Sequence, residues 1–166
     1  MDSKLKNLKA CLEILQGEYR IEDARRESIT SRSGTFLQFS GVLVGLGVVQ
    51  LIAEFGNTNA NFTLLGLYSI SIIVSVVSII FLTISMKSSN YLRFPHASIN
   101  LERIIEMSEL QYTKCLIKTI QEIIAFNQSQ NDRRLRGYSI GIWLCAVSAF
   151  ILFSALISRT VIGIVP

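Results

Sequence analysis

Four serines in one apolar segment are the residues whose type and spacing first invite chemistry. Ser71, Ser75, Ser78 and Ser85 recur at helical spacing, with Tyr68 before them and Leu82 as the one apolar interruption, so a helix gathers their hydroxyls on one stripe. Such a stripe is out of place against lipid. It either lines a pore, where hydroxyls replace part of an ion's hydration, or lets helices pack closely through small side chains; spacing alone admits both. Gln38 and Gln50, near the two ends of an earlier apolar segment, join the candidate pore lining, because polar side chains there prefer a partner or a water-filled vestibule. Glu54, at the end of that segment, either does the same or reaches out to the interface.

A second set is basic. Arg25, Arg26, Arg93, Arg133, Arg134 and Arg136 flank the apolar segments, with Tyr19, Tyr91, Phe94 and Tyr112 interleaved. Guanidinium forks pair phosphates and aromatic rings stack on bases, which is the chemistry of a nucleotide or single-strand site. Attraction to anionic lipid headgroups accounts for the same charges. Nothing reads as catalytic: His96 is the only histidine, so Ser-His and histidine-metal arrangements have no second member. Cys11, Cys115 and Cys145 form no CxxC pair, and no disulfide framework, zinc site or cofactor is expected. The chain reads as a non-enzyme.

Three apolar runs, 34–55, 63–86 and 137–157, must position these residues, and each has about the ~20 residues a helix needs to cross a bilayer. Half of the 166 residues are apolar and the net charge is +4, with little material left for a soluble catalytic core. Seven basic residues precede the first run, eight lie between the second and third, and only Arg159 lies beyond. By the positive-inside rule the N-terminus is expected in the cytoplasm, and the uncharged loop 56–61 and the C-terminus outside. The first run follows a charged segment and lacks a small-x-small exit, so it is expected to remain in the mature protein.

The remaining segments read as cytoplasmic helices. Over 3–31, Leu5, Leu8, Leu12, Leu15 and Tyr19 form a stripe of alternating three and four, with Gly17 as a point that loosens it. After Pro95, Ser98 or Asn100 is expected to cap a helix whose apolar positions Ile104, Ile105, Tyr112, Leu116, Ile120, Ile123 and Ile124 make a mate for that stripe. The polar run 127–132 reads as a turn or weakened helix. A straight helix from 98 upward would start ~45 Å from the third run, too far for the short link from Lys87, so it is expected to descend, lie obliquely or break near Glu109. Small residues in the first run (Gly41, Gly45, Gly47) and the third (Gly141, Cys145, Ser148, Ala155) permit close packing. The expected fold is an all-α membrane protein: cytoplasmic helix 1–33, transmembrane hairpin 34–86, cytoplasmic helical region 87–136, third span 137–157 and external tail 158–166, assembled as an oligomeric bundle.

This layout resembles small bacterial antiphage membrane effectors, the SLATT-type and Pycsar-effector-like families of CBASS-, Pycsar- and Hailong-like systems. The likeness is carried by the charged stretch from Ala24-Arg25-Arg26-Glu27-Ser28 to Arg32-Ser33-Gly34, by the short loop and second span, by Ser108-Glu109-Leu110-Gln111-Tyr112, and by the arginine-rich return to a third span. It implies an inner-membrane, homo-oligomeric channel that disrupts the membrane when a nucleotide or oligonucleotide made by a partner nucleotidyltransferase or cyclase binds. A membrane-anchored scaffold that recruits a cytoplasmic partner is the alternative, and for it the serine face need only pack.

Overall fold

The computed structural model describes residues 2–57, 61–87, 91–92 and 108–164. Regular structure among them is helical throughout: α1 (Asp2–Phe55), α2 (Phe62–Met86) and α3 (Glu109–Ile164). Each contains a stretch long and apolar enough to cross a membrane, in agreement with the three apolar runs. No proline falls within α1, α2 or α3, so every interior residue of these helices can donate its backbone N–H. Gly17 does not interrupt α1; its cost in a helix, about 1 kcal/mol relative to alanine, is small beside 54 residues of continuous ladder.

Local side chains set the helix ends. At α2 the Asn61 side chain accepts from the Thr63 N–H at 2.9 Å, and at the other end the Lys87 N–H reaches the carbonyls of Thr83 and Ile84. At α3, Ser108 and Gln111 form a reciprocal cap in which Gln111 Oε1 accepts from the Ser108 N–H at 3.3 Å. The cap read from the sequence at Ser98 or Asn100, with Ile104 and Ile105, lies outside the described residues; the described helix begins at Glu109. The run 127–132, read as a turn or weakened helix, shows no break. It is uninterrupted α3, because Asn127 and Asn131 are fully buried and their amides bond to other segments instead of competing for the local backbone.

The chain divides into two compact units, Met1–Ser28 with Ser88–Arg133, and Ile29–Lys87 with Arg134–Pro166. In the first, Leu15, Ile120 and Ile123 are buried, while Leu5, Leu8, Leu12, Tyr19, Tyr112, Leu116 and Ile124 are half-buried, as the facing stripes require. Lys9 pairs with Glu109 and Arg25 with Asp132, both at 2.8 Å, so α1 and α3 run parallel there. Exposed pairs of this kind contribute roughly 0–1 kcal/mol; the apolar seam carries most of the association.

In the second unit α2 runs antiparallel to α1, with Ser33 opposite Ser85 and Ser40 opposite Ser78. A core of Leu43, Leu64, Tyr68, Cys145, Leu152 and Ala155 fills the three-helix contact. Large apolar side chains, Phe39, Val42, Ile52, Ile73, Trp143 and Phe150 among them, point outward. Hydroxyls inside and phenylalanines outside is the distribution expected when the solvent is lipid. Two glycines make it possible: a Cβ at Gly47 would lie 2.8 Å from Ile72, and one at Gly141 would lie 2.7 Å from Leu82. Gly41 and Gly45 have open space around them, so of the small residues expected to allow close packing in α1 only Gly47 does so within this subunit.

Candidate functional site

The polar groups of the second unit stack in layers along the three helices. Ser71 donates to the Ser148 carbonyl at 3.0 Å, Ser148 to the Ser71 carbonyl at 2.9 Å, and the Ser75 hydroxyl also bonds to that of Ser148. One layer on, Ser78 donates to the Gly141 carbonyl at 2.7 Å and shares a hydrogen bond with Ser40, whose hydroxyl also reaches Cys145 Sγ. Beyond Leu82, Ser85 bonds to Ser33 at 2.9 Å. Interhelical hydrogen bonds in membranes average about 0.6 kcal/mol, so the ladder adds a few kcal/mol to the close packing that creates it.

Charge closes both ends. At the α2 C-terminus, Arg134 Nε donates to the Ser85 carbonyl at 2.7 Å, and its Nη2 donates to Thr30 Oγ1 at 2.8 Å and to the Met86 carbonyl at 3.3 Å. A cation on the last carbonyls complements the helix dipole and satisfies acceptors the helix leaves open. At the opposite end Glu54 is 3% exposed, accepts from the Asn61 N–H at 3.0 Å and faces Arg159 at 3.8 Å, while Arg159 also donates to Gln50.

These positions show how the serine face is engaged within this subunit. Ser71, Ser75 and Ser78 are fully buried and Ser85 nearly so, with every hydroxyl bonded inside the bundle. Of the two alternatives left open by the spacing, helix packing describes this geometry. The remaining candidates for the lining separate: Gln38 is exposed on α1, and Gln50 is held by Arg159. Of the alternatives for Glu54, a partner, a vestibule or the interface, the structure shows the partner: Glu54 is buried in the contact with α3 beside Arg159.

The arginines separate in the same way. Arg25 is engaged by Asp132 and Glu22, and Arg26 by Asp23 and by the Tyr91 ring, 4.6 Å from its centroid. Arg134 is 7% exposed and turned onto the α2 carbonyls. Arg133 and Arg136 are exposed, whereas Arg93, Phe94 and His96 lie outside the described residues. Around Tyr91 the first unit holds a polar cluster: Asn127 takes both backbone groups of Leu92, its Nδ2 donating to the carbonyl at 3.0 Å and its Oδ1 accepting from the N–H at 3.2 Å. Asn131 Nδ2 donates to Glu22 Oε2 at 2.8 Å. Burial pushes the Tyr91 hydroxyl above its ordinary value; the Asn131 amide opposes this, and the carboxylates of Asp23 and Glu22 reinforce it.

Sequence reasoning missed Ser33, Ser40, Ser148, Asn127, Asn131 and the Arg159–Glu54 pair. Ser148 lay in the small-residue face of the third run, and its helical spacing of three from Cys145 was the available signal. Arg159 offered one as well, being the only cation past the third run and level with the only carboxylate of the first. Among the described residues, no group of three or more His, Cys, Asp or Glu side chains gathers to hold a metal. No protein-family model matches this chain, and no curated protein or solved structure matches it.

Proposed function

We propose that this chain is a non-enzymatic effector of bacterial antiphage defence, a homo-oligomer in the inner membrane with its N-terminus in the cytoplasm and its C-terminus outside. In this reading a nucleotide or oligonucleotide binds exposed Arg133 of the cytoplasmic unit and shifts the packing of the spans, so that the membrane becomes permeable. The defence setting rests on the resemblance. The two-part mechanism is supported by one observation: α1 and α3 each contribute to both compact units with no interruption of the helix. A ligand moves such an equilibrium only by its differential affinity for two packings, and helices common to both units provide the route. Because the serine hydroxyls are satisfied within the subunit, a conducting path would form between subunits around a symmetry axis.

Purified protein in dye-loaded liposomes, challenged with cyclic and linear oligonucleotides, tests the proposal. Release with one of them, lost in Arg133→Glu, is the expected result; a closed membrane with every oligonucleotide contradicts it. The scaffold reading is favoured by the saturated serine face. It predicts no flux and a cytoplasmic protein retained on the Leu8, Leu12, Leu15 unit.

A further inference from the structure

The end of the apolar unit at which α1 enters and α2 leaves carries positive charge that the unit itself does not neutralise. Within residues 29–87 and 134–166 the only carboxylate side chain is Glu54, and it sits at the far end with Arg159. Arg32, Lys87, Arg134 and Arg136 share the near end, brought together by the Ser33–Ser85 bond and the reach of Arg134 to Met86. Arg134 is occupied by the α2 carbonyls. Lys87 is exposed and enters no ion pair among the described residues.

Beside Lys87 lies an open groove of about 400 Å³ lined by Leu37 of α1 and by Thr83, Ile84, Met86 and Lys87. Its wall is apolar even at Thr83, whose hydroxyl turns back to the Ile79 carbonyl at 2.7 Å. The Lys87 N–H bonds to the Thr83 and Ile84 carbonyls, fixing the start of the lysine side chain at the groove. An apolar trough with one cation at its mouth fits an amphipathic anion. A nucleotide would find no aromatic ring or amide on these walls to hold its base. A second copy of the chain would have to bring a carboxylate with its apolar segment, and Glu54, the only one in the described spans, is buried against Arg159 and Asn61.

We propose that this groove binds one acyl chain of an anionic phospholipid, with the lipid phosphate paired to Lys87. The site rests on the membrane-spanning reading of α1 and α2 and is independent of conduction or defence. Native mass spectrometry of the full chain, exchanged from detergent into dioleoylphosphatidylglycerol or dioleoylphosphatidylcholine, reads it directly. Wild type is expected to retain one phosphatidylglycerol about fivefold over phosphatidylcholine. Lys87→Gln should erase that preference, Ile84→Trp should displace the lipid by filling the groove, and Arg136→Gln, outside the lining, should behave as wild type. Should Ile84→Trp fail to fold, Lys87→Gln decides alone, since its side chain is exposed. Equal retention of the two lipids by wild type, a preference surviving Lys87→Gln, or equal losses in Lys87→Gln and Arg136→Gln would overturn the site; the last outcome means diffuse charge attraction only.

Discussion

Arg133, Arg134 and Arg136 are chemically equivalent in the sequence, yet a helix turns each residue about 100° from the last and points them differently. Only Arg134 is buried, with three hydrogen bonds to Ser85, Met86 and Thr30. Hydrogen bonds of a charged donor contribute about 1.5–3 kcal/mol each, and their carbonyls lose satisfaction when it is removed. Arg134→Ala should therefore lower thermal stability in detergent by about 3 kcal/mol, against less than about 0.5 kcal/mol for Arg133→Ala or Arg136→Ala. Equal losses for all three would remove the capping role. Tyr91 supplies a pH test at the same scale. Its hydroxyl ionises less readily folded than unfolded, so stability is fully present below the ordinary tyrosine value of about 10 and falls as pH rises toward the folded value. Alkaline denaturation of Tyr91→Phe should lack that component, and superimposable profiles of variant and wild type would contradict it.

At the scale of elements, helix existence was legible because apolar runs and the a/d stripe are properties of a single segment. Partner choice was not. The sequence shows that Ser71, Ser75 and Ser78 share a stripe, but which hydroxyl meets Ser148 or Ser40 depends on helix rotation and depth. Buried asparagines show the same limit: composition reads 127–132 as a turn or weakened helix, and tertiary partners keep it regular helix. Glycines were read as a group, although contact differs from one to the next. Gly141→Ala places a methyl against Leu82 and should cost about 1–3 kcal/mol, while Gly45→Ala, with nothing within 4 Å, should be neutral or slightly stabilising. Thermal unfolding of both proteins separates them, and equal effects would mean that Gly45 has a contact outside this subunit.

For the whole molecule, the proposed reading is a membrane bundle whose serine hydroxyls bond to one another and to helix carbonyls, with any aqueous path placed between subunits. The proposed topology rests on charge: the positive-inside rule would place the basic clusters before α1's span and after α2 on one side, and Arg159, the exception, has its own carboxylate in Glu54. That pairing explains how an arginine at the opposite end is tolerated. The ladder and the orientation meet in one measurement on a chain whose native cysteines are replaced, Cys145 by Ala. Cysteines are placed singly at Ser71, Ser75 and Ser78, with one at exposed Arg136 as a positive control, and membrane-impermeant thiol reagents are applied to each face of oriented vesicles. The account predicts labelling of the control from the cytoplasmic face and silence at all three serine positions, in resting and ligand-treated protein alike. Labelling of the Ser75 or Ser78 position from either face would show water on the serine stripe and contradict the packed bundle.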